Sequence, residues 1–384
     1  MPSYNSNSLL RQRKAFLVAL NSVAGVGART TLKLLQICQK KQLSDEEFWA
    51  NKNHIWQEIS LSEKTIESIK KFKIAHSLLD NLDKLEASGL SVISFQERDY
   101  PQLLLDSEDF PTILFVKSLL KIGSEAWQQA LAQTISVVGT RKMTNYGRLA
   151  IKQIIPGLVA THKTIVSGFM YGVDLVAAQE ALNCKGQTIA VLGFGFNHCF
   201  PASQSRTMQE FLTRGAIFLS EFAPEVEARP ANFVMRNRIV AGLSRATLVI
   251  EAAKRSGSHI TASYANDYGR LVMAVPGPIN SHFSEGTKEL INQGAILVNN
   301  ARDILIELGE NVDGSNELGK VKQIKVLDSQ SQTILENLSF CSELSLDELQ
   351  KKTDLDYGKL NQLLFDLELQ GKINKKWGKY CLVG

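Results

Sequence analysis

Between residues 135 and 298 the chain carries seven short apolar runs: ISVVG (135–139), TIVSG (164–168), TIAVLG (188–193), AIFLSE (216–221), ATLVIEA (246–252), LVMAVPG (271–277) and AILV (295–298). Helix-length segments separate them. Runs this short and rich in Val, Ile and Thr read as strands. They are apolar throughout instead of alternating, which belongs to strands covered on both faces. Strands alternating with helices predict a mostly parallel α/β sheet with helices on both sides.

Open sheets of this class bind ligands outside the carboxyl ends of their strands. Here those ends share one chemistry. After ISVV comes Gly139-Thr140-Arg141-Lys142, and after TIV comes Ser167-Gly168 with Gly172 and Asp174 beyond. After TIAVL comes Gly193-Phe194-Gly195, and after LVIEA comes Lys254-Arg255-Ser256-Gly257-Ser258, then Thr261. Glycines let amides approach an oxyanion, helix N-termini favour it, and Arg or Lys supplies the charge. Each turn alone is a weak signal, but four in register with strand ends predict a phosphate-binding rim. Gly193-x-Gly195 lacks the third glycine of a dinucleotide fingerprint, so no nicotinamide cofactor is expected.

The stretch Arg236-Asn237-Arg238 precedes the ATLVIEA strand. Two guanidiniums beside a buried strand are costly to desolvate without anionic partners. The spacing predicts a short helix over Asn232–Leu243, ending near Gly242. One arginine is expected to pair with Glu221 or Glu251 and the other to face the ligand.

Residues 11–90 read as helical. Arg11–Leu20 and Arg29–Cys38 flank Gly25 and Gly27, either a helix-hairpin-helix whose amides hold a phosphate or a plain turn between packed helices. Ser91–Leu119 breaks into short extended pieces at Pro101 and Pro111. Residues 309–326 are polar and aperiodic, a linker. Residues 327–384 show three amphipathic helical stretches, with Ser345 or Asp356 as caps, then a hairpin turning near Trp377-Gly378 after Gly371. That order describes a winged helix.

The net charge is only +4, so an anion site must be a local patch. Five scattered cysteines and six histidines form no C-x-x-C or H-x-x-x-H pair, which predicts neither a disulfide framework nor a metal site. The run AFLVAL after Arg11, Arg13 and Lys14 is too short for a signal peptide, and no stretch has the length of a transmembrane helix. A cytoplasmic protein without membrane contact is expected.

The ordered motifs VVGTRKMTNYG, IVSGFMYGVD, AVLGFG…FP, LSEFAPE…RPANFVMRNRIVAGLS, VIEAAKRSGSHITA and GRLVMAVPG…EGTKELINQGA resemble the DprA/Smf family of DNA-processing proteins. The resemblance implies an extended Rossmann-like parallel-sheet domain over residues 91–308. It also implies a helical (helix-hairpin-helix/SAM-like) domain over 1–90 and a winged-helix domain over 327–384. It further implies a non-catalytic homodimer that needs no cofactor, binds single-stranded DNA and loads RecA during natural transformation. Carried over motif by motif, the binding residues are Gly139, Thr140, Arg141, Ser167, Gly168, Gly172, Asp174, Arg236, Asn237, Arg238, Ser256, Gly257, Ser258 and Thr261. The sequence departs from the family pattern at Tyr171, where a cation is usual, at Ala178 for His, at Phe200 for Tyr and at Gln204 for Asn. Tyr171 removes a phosphate contact and adds a ring able to stack on a base.

Two other functions compete. A nucleotide phosphoribohydrolase on a related fold would use Asp174, Glu221 and Glu251 as acids. Its P-G-G-x-G-T-x-x-E turn is present only as the separate fragments Pro276-Gly277-Pro278 and Gly286-Thr287. A duplex-binding regulator would use the winged helix, with Lys372, Lys375, Lys376 and Lys379 on its wing; the same unit reads equally as a protein-interaction module with those lysines on a solvated face, and Asn361 and Gln362 of its third helix do not separate the two.

Overall fold

The computed structural model describes residues 4–310 and 329–382, apart from 24, 51–55, 57–60, 76, 341–342, 370–371 and 377. The chain divides into two units, Met1–Asp313 and Gly314–Gly384. Most of the expected linker, and Gly371 and Trp377, lie outside the described residues.

A nine-stranded sheet organises the first unit. Its strands are β1 (Ser91–Ser94), β2 (Ile113–Lys117), β3 (Thr134–Val138), β4 (Thr164–Ser167), β5 (Thr188–Leu192), β6 (Ile217–Ser220), β7 (Ala246–Val249), β8 (Leu271–Ala274) and β9 (Ile296–Leu297). Their spatial order is β1-β2-β6-β5-β4-β3-β7-β8-β9. The pairs from β6 to β9 are parallel, and β2 runs antiparallel to both β6 and β1. Strands β1 and β2, which pair antiparallel at one end of the sheet, fall in the segment where only short extended pieces were expected. All seven runs of the α/β region form strands, and each strand ends before its apolar run does because the last residues turn into the ligand-side loops.

The topology carries the functional consequence. From β3 the chain lays down β4, β5 and β6 on one side, then returns to place β7, β8 and β9 on the other. Strands β3 and β7 are therefore the pair at which the winding reverses. Loops leaving their carboxyl ends diverge and open a crevice there.

The N-terminal helices Tyr4–Ser22, Ala28–Lys40, Glu63–Ala75 and Leu78–Ala87 pack on the β1/β2 edge. Phe16, Leu17, Leu20, Leu34 and Phe48 share one apolar cluster with Val92, Ile113 and Phe115. Gly25 turns the chain between the first two helices at φ 88°, and its missing Cβ faces Thr65 Oγ1. Cluster burial at the sheet is driven by aliphatic side chains of β3–β8 against the helix Pro230–Gly242, whose Ile239, Val240 and Ala241 are fully buried.

The second unit is a separate fold. Helices Ser329–Phe340, Leu346–Thr353 and Tyr357–Leu369 surround Ile334, Leu338, Leu349, Leu360 and Leu364. A three-stranded sheet, with β10 (Leu344–Ser345), β11 (Ile373–Lys376) and β12 (Lys379–Leu382), closes it in the order β10-β12-β11. Ser345 and Glu348 form a reciprocal capping box, and Asp356 accepts from the Lys359 amide. Three helices and a wing are the winged helix expected from the sequence.

Candidate nucleic-acid interface

At the β3/β7 reversal lies a cleft of about 580 Å³. Its walls come from the loops that follow β3, β4, β5, β6 and β7 and from the helices that two of these loops lead into, Pro230–Gly242 and Gly257–Asp267. After β3, the Thr140 amide donates to Glu251 O at 2.7 Å and the Thr140 hydroxyl accepts from the Lys142 amide at 3.1 Å. Glu251 also accepts from the amide and hydroxyl of Thr144, at 2.8 and 2.6 Å. This buried carboxylate ties the loops of β3 and β7 to each other. Gly139 is required because a Cβ would overlap Val173 and Glu251 O.

After β4, Ser167 donates to Val137 O at 2.7 Å, and the Gly168 amide donates to Asp174 Oδ2 at 3.1 Å. Phe169 takes a left-handed φ of 55° and buries its ring against Phe211 and Phe218, with centroids 5.7 and 5.0 Å away. This tight turn holds Gly168 beneath the Arg236 guanidinium, which any Cβ there would overlap.

Arg236 and Arg238 have opposite fates. Arg238 is enclosed: its Nη1 and Nη2 meet Glu221 at 2.9 and 2.6 Å, and its Nε lies 3.3 Å from Asp109. Burial pulls its pKa down, but Glu221 and Asp109 more than offset that and raise it. Arg236, 3% exposed, donates from Nη1 to Val191 O at 2.7 Å, while its Nε has no partner. Burial draws its pKa down to about 10, with Asp174 opposing and Arg141 adding to the fall, so the guanidinium remains charged at neutral pH. Burial likewise pushes the Asp174 carboxyl above its ordinary range, against the pull of Arg236 and the amides of Met170 and Gly168.

Opposite stands the start of the helix Gly257–Asp267. Ser256 caps it by accepting from the Ser258 amide, and its hydroxyl lies 2.9 Å from that of Ser258. Asn237 donates to Gly257 O at 3.3 Å. Space for a Cβ at Gly257 is open, with no atom within 4 Å. Amides at this helix start, together with Arg141, Arg255 and Arg236, make the local cationic patch that the overall charge required.

Aromatic rings line the remaining wall. Tyr171 is 44% exposed, and its hydroxyl lies 2.6 Å from Ser203 Oγ. Phe200 is 43% exposed and lies 5.5 Å from Phe233, over whose ring Arg141 sits at 5.9 Å.

Of the residues singled out from the sequence, Gly139, Thr140, Arg141, Gly168, Tyr171, Asp174, Arg236, Asn237, Arg255, Ser256, Gly257, Ser258 and Thr261 line the cleft. Lys142, Ser167, Gly172, Gly193, Gly195, Arg238 and Lys254 do not. Gly172 supports the loop at φ 87°, and Gly195 has the backbone of Ala223 and Pro224 where a Cβ would go. Gly193 packs on Phe233. Sequence reasoning passed over Phe233, Val234 and Pro230; the signal was an aromatic three residues before Arg236, one helical turn away. Among the described residues, no cluster of metal-ligating side chains occurs and no helix is long and apolar enough to cross a membrane.

The sequence profile of the family described as DNA recombination-mediator protein A matches residues 91–309, and that of the DprA winged helix domain matches residues 321–379. The chain is 40% identical over 232 residues to Protein Smf of Escherichia coli (strain K12), covering 60% of each. It is 34% identical over 222 residues to the DNA processing protein DprA of Bacillus subtilis (strain 168), covering 58% of this chain and 72% of the relative. The X-ray structure of DprA from Streptococcus pneumoniae superposes with a TM-score of 0.63 at 29% identity, over 78% of this chain and 96% of that one. With more than half of its length matched by the family profile, and the match spanning the sheet and every loop of the cleft, this chain belongs to the DNA recombination-mediator protein A (DprA/Smf) family.

Proposed function

We propose that the β3/β7 cleft holds the sugar-phosphate backbone of single-stranded DNA and that the protein is a non-catalytic recombination mediator. One observation carries this reading: Arg236 is buried with its Nε unpartnered, and it lines the cleft together with the start of the Gly257–Asp267 helix. A buried charge with donors unspent is costly unless an anion completes it. A phosphate held in the cleft against that guanidinium and the start of the helix at Gly257 would do so. Exposed rings at Tyr171 and Phe200 beside it suit unpaired bases, whose faces a duplex conceals. The family relationship supports the same reading, and extends it to a cytoplasmic homodimer that loads RecA on strands taken up in transformation.

Hydrolysis of a nucleotide is disfavoured by how the three carboxylates are engaged. Glu221 is held by Arg238, Glu251 by Thr144, and Asp174 by the Gly168 amide. Both oxygens of Glu221 and of Glu251 are thereby taken, which leaves Asp174, in the cleft lining, without a free second carboxylate to complete a general acid and base pair.

The test is fluorescence anisotropy of the full chain with labelled oligo-dT, matched duplex and AMP across a salt series. Oligo-dT should bind best, with a steep salt slope that Arg236→Ala flattens by about one unit. Binding or turnover of AMP with oligo-dT ignored would defeat the proposal.

A further inference from the structure

The winged helix presents a surface whose chemistry the cleft does not use. Helix Tyr357–Leu369 would be its recognition helix if the unit read duplex DNA. Leu360, Leu363, Leu364 and Leu367 are buried. At 100° per residue, Gly358, Asn361, Gln362 and Phe365 form the ridge directly opposite, and all four are exposed. Phe365 stands at its centre, 61% exposed. Asp366 and Glu368 flank it on either side, both exposed, and Lys359 is the one cation along the helix.

The amino end is acidic too. Asp354 and Asp356 are exposed just before the helix, and Asp356 already caps it through the Lys359 amide at 3.2 Å. Asp347 accepts from the Tyr357 hydroxyl at 2.7 Å. Helix residues near this end would meet base edges and phosphates in a major groove. Carboxylates there repel the backbone, and the dipole that would have attracted a phosphate is spent on Asp356. The cations of the unit are gathered on the wing instead, where Lys375 and Lys379 are exposed and Lys375 lies over the Tyr380 ring at 5.1 Å, so the acidic character belongs to the helix face.

We infer that this helix face docks a protein segment, basic and amphipathic, whose apolar side chain covers Phe365 while its Lys or Arg residues meet Asp366 and Glu368. Charge complementarity selects that partner over nucleic acid, and an exposed aromatic framed by charges is the anatomy of an interface anchor. Asn361 and Gln362 supply rim hydrogen bonds in this arrangement. The inference stands independently of strand binding in the cleft.

The test uses the full-length chain and two labelled model peptides with leucine at helical spacing, one filled with lysine and the other with glutamate, alongside a labelled duplex. The lysine peptide should bind, and Phe365→Ala should weaken it about tenfold. Combined Asp366→Lys and Glu368→Lys should transfer the preference to the glutamate peptide. Oligo-dT affinity should be unchanged in every variant, and an unchanged melting transition of the winged helix reports its intact folding. The inference is overturned by equal binding of both peptides, by charge reversal that leaves the preference in place, or by duplex binding at physiological salt that Asn361→Ala with Gln362→Ala removes.

Discussion

Arg236 and Arg238 sit two residues apart on one helix, so their side chains leave it about 200° apart and cannot share a destination. The sequence announced that one would be internally paired. Which one depended on helix rotation against the sheet, set by burial of Ile239, Val240 and Ala241. Arg238→Ala should therefore cost about 3–5 kcal/mol, by stranding Glu221, seen as a lower urea midpoint with unchanged slope. Asp174 makes a pH prediction. Its folded pKa lies above the ordinary 3.8, so between those values the folded state holds more protons than the unfolded chain. Its contribution to stability thus improves as pH falls through the raised pKa and is lost as pH rises through it. Protonation also removes the anion nearest Arg236. Oligo-dT affinity should rise over the same window, and Asp174→Asn should make it flat there; an equal rise in the variant would remove Asp174 as the cause.

Turns were the most legible elements, although not the reasons for their glycines. GTR, SG and SGS each mark a strand end, yet only the fold separates a glycine that supports the loop from one that leaves room for ligand. Gly172 holds φ 87° against Thr140 O, so Gly172→Ala should destabilise by roughly 1–3 kcal/mol and lower the melting temperature. Gly257 has open space, and its φ is not one that excludes side chains. Gly257→Ala should leave melting unchanged while weakening oligo-dT binding, because the new methyl enters the cleft. Loss of binding only in step with loss of stability would show that Gly257 serves the fold alone. The aromatic wall was largely invisible in the sequence. Phe200 and Phe233 lie far apart in the chain and meet at 5.5 Å only because the loop after β5 comes against the first turn of the helix Pro230–Gly242.

For the molecule as a whole, the N-terminal helices share an apolar cluster with β1 and β2, whereas the winged helix closes around its own. Calorimetry of the full chain should show two unfolding transitions, not three, since helices that bury Phe16 and Leu34 against the sheet edge unfold with it. The sequence by itself determined the seven strands of the α/β region, the winged helix, the family and most of the charged and glycine residues of the cleft. Each of these is written locally, in periodicity, turn chemistry and motif order. Strand order was not written locally, and so neither was the reversal at β3 and β7 that makes a cleft from the loops at the strand ends. The tertiary structure alone decided that Arg236 faces that cleft while Arg238 is locked to Glu221. Which side chain is spent on the core and which is left for a ligand depends on how distant segments pack, and no single segment carries that information.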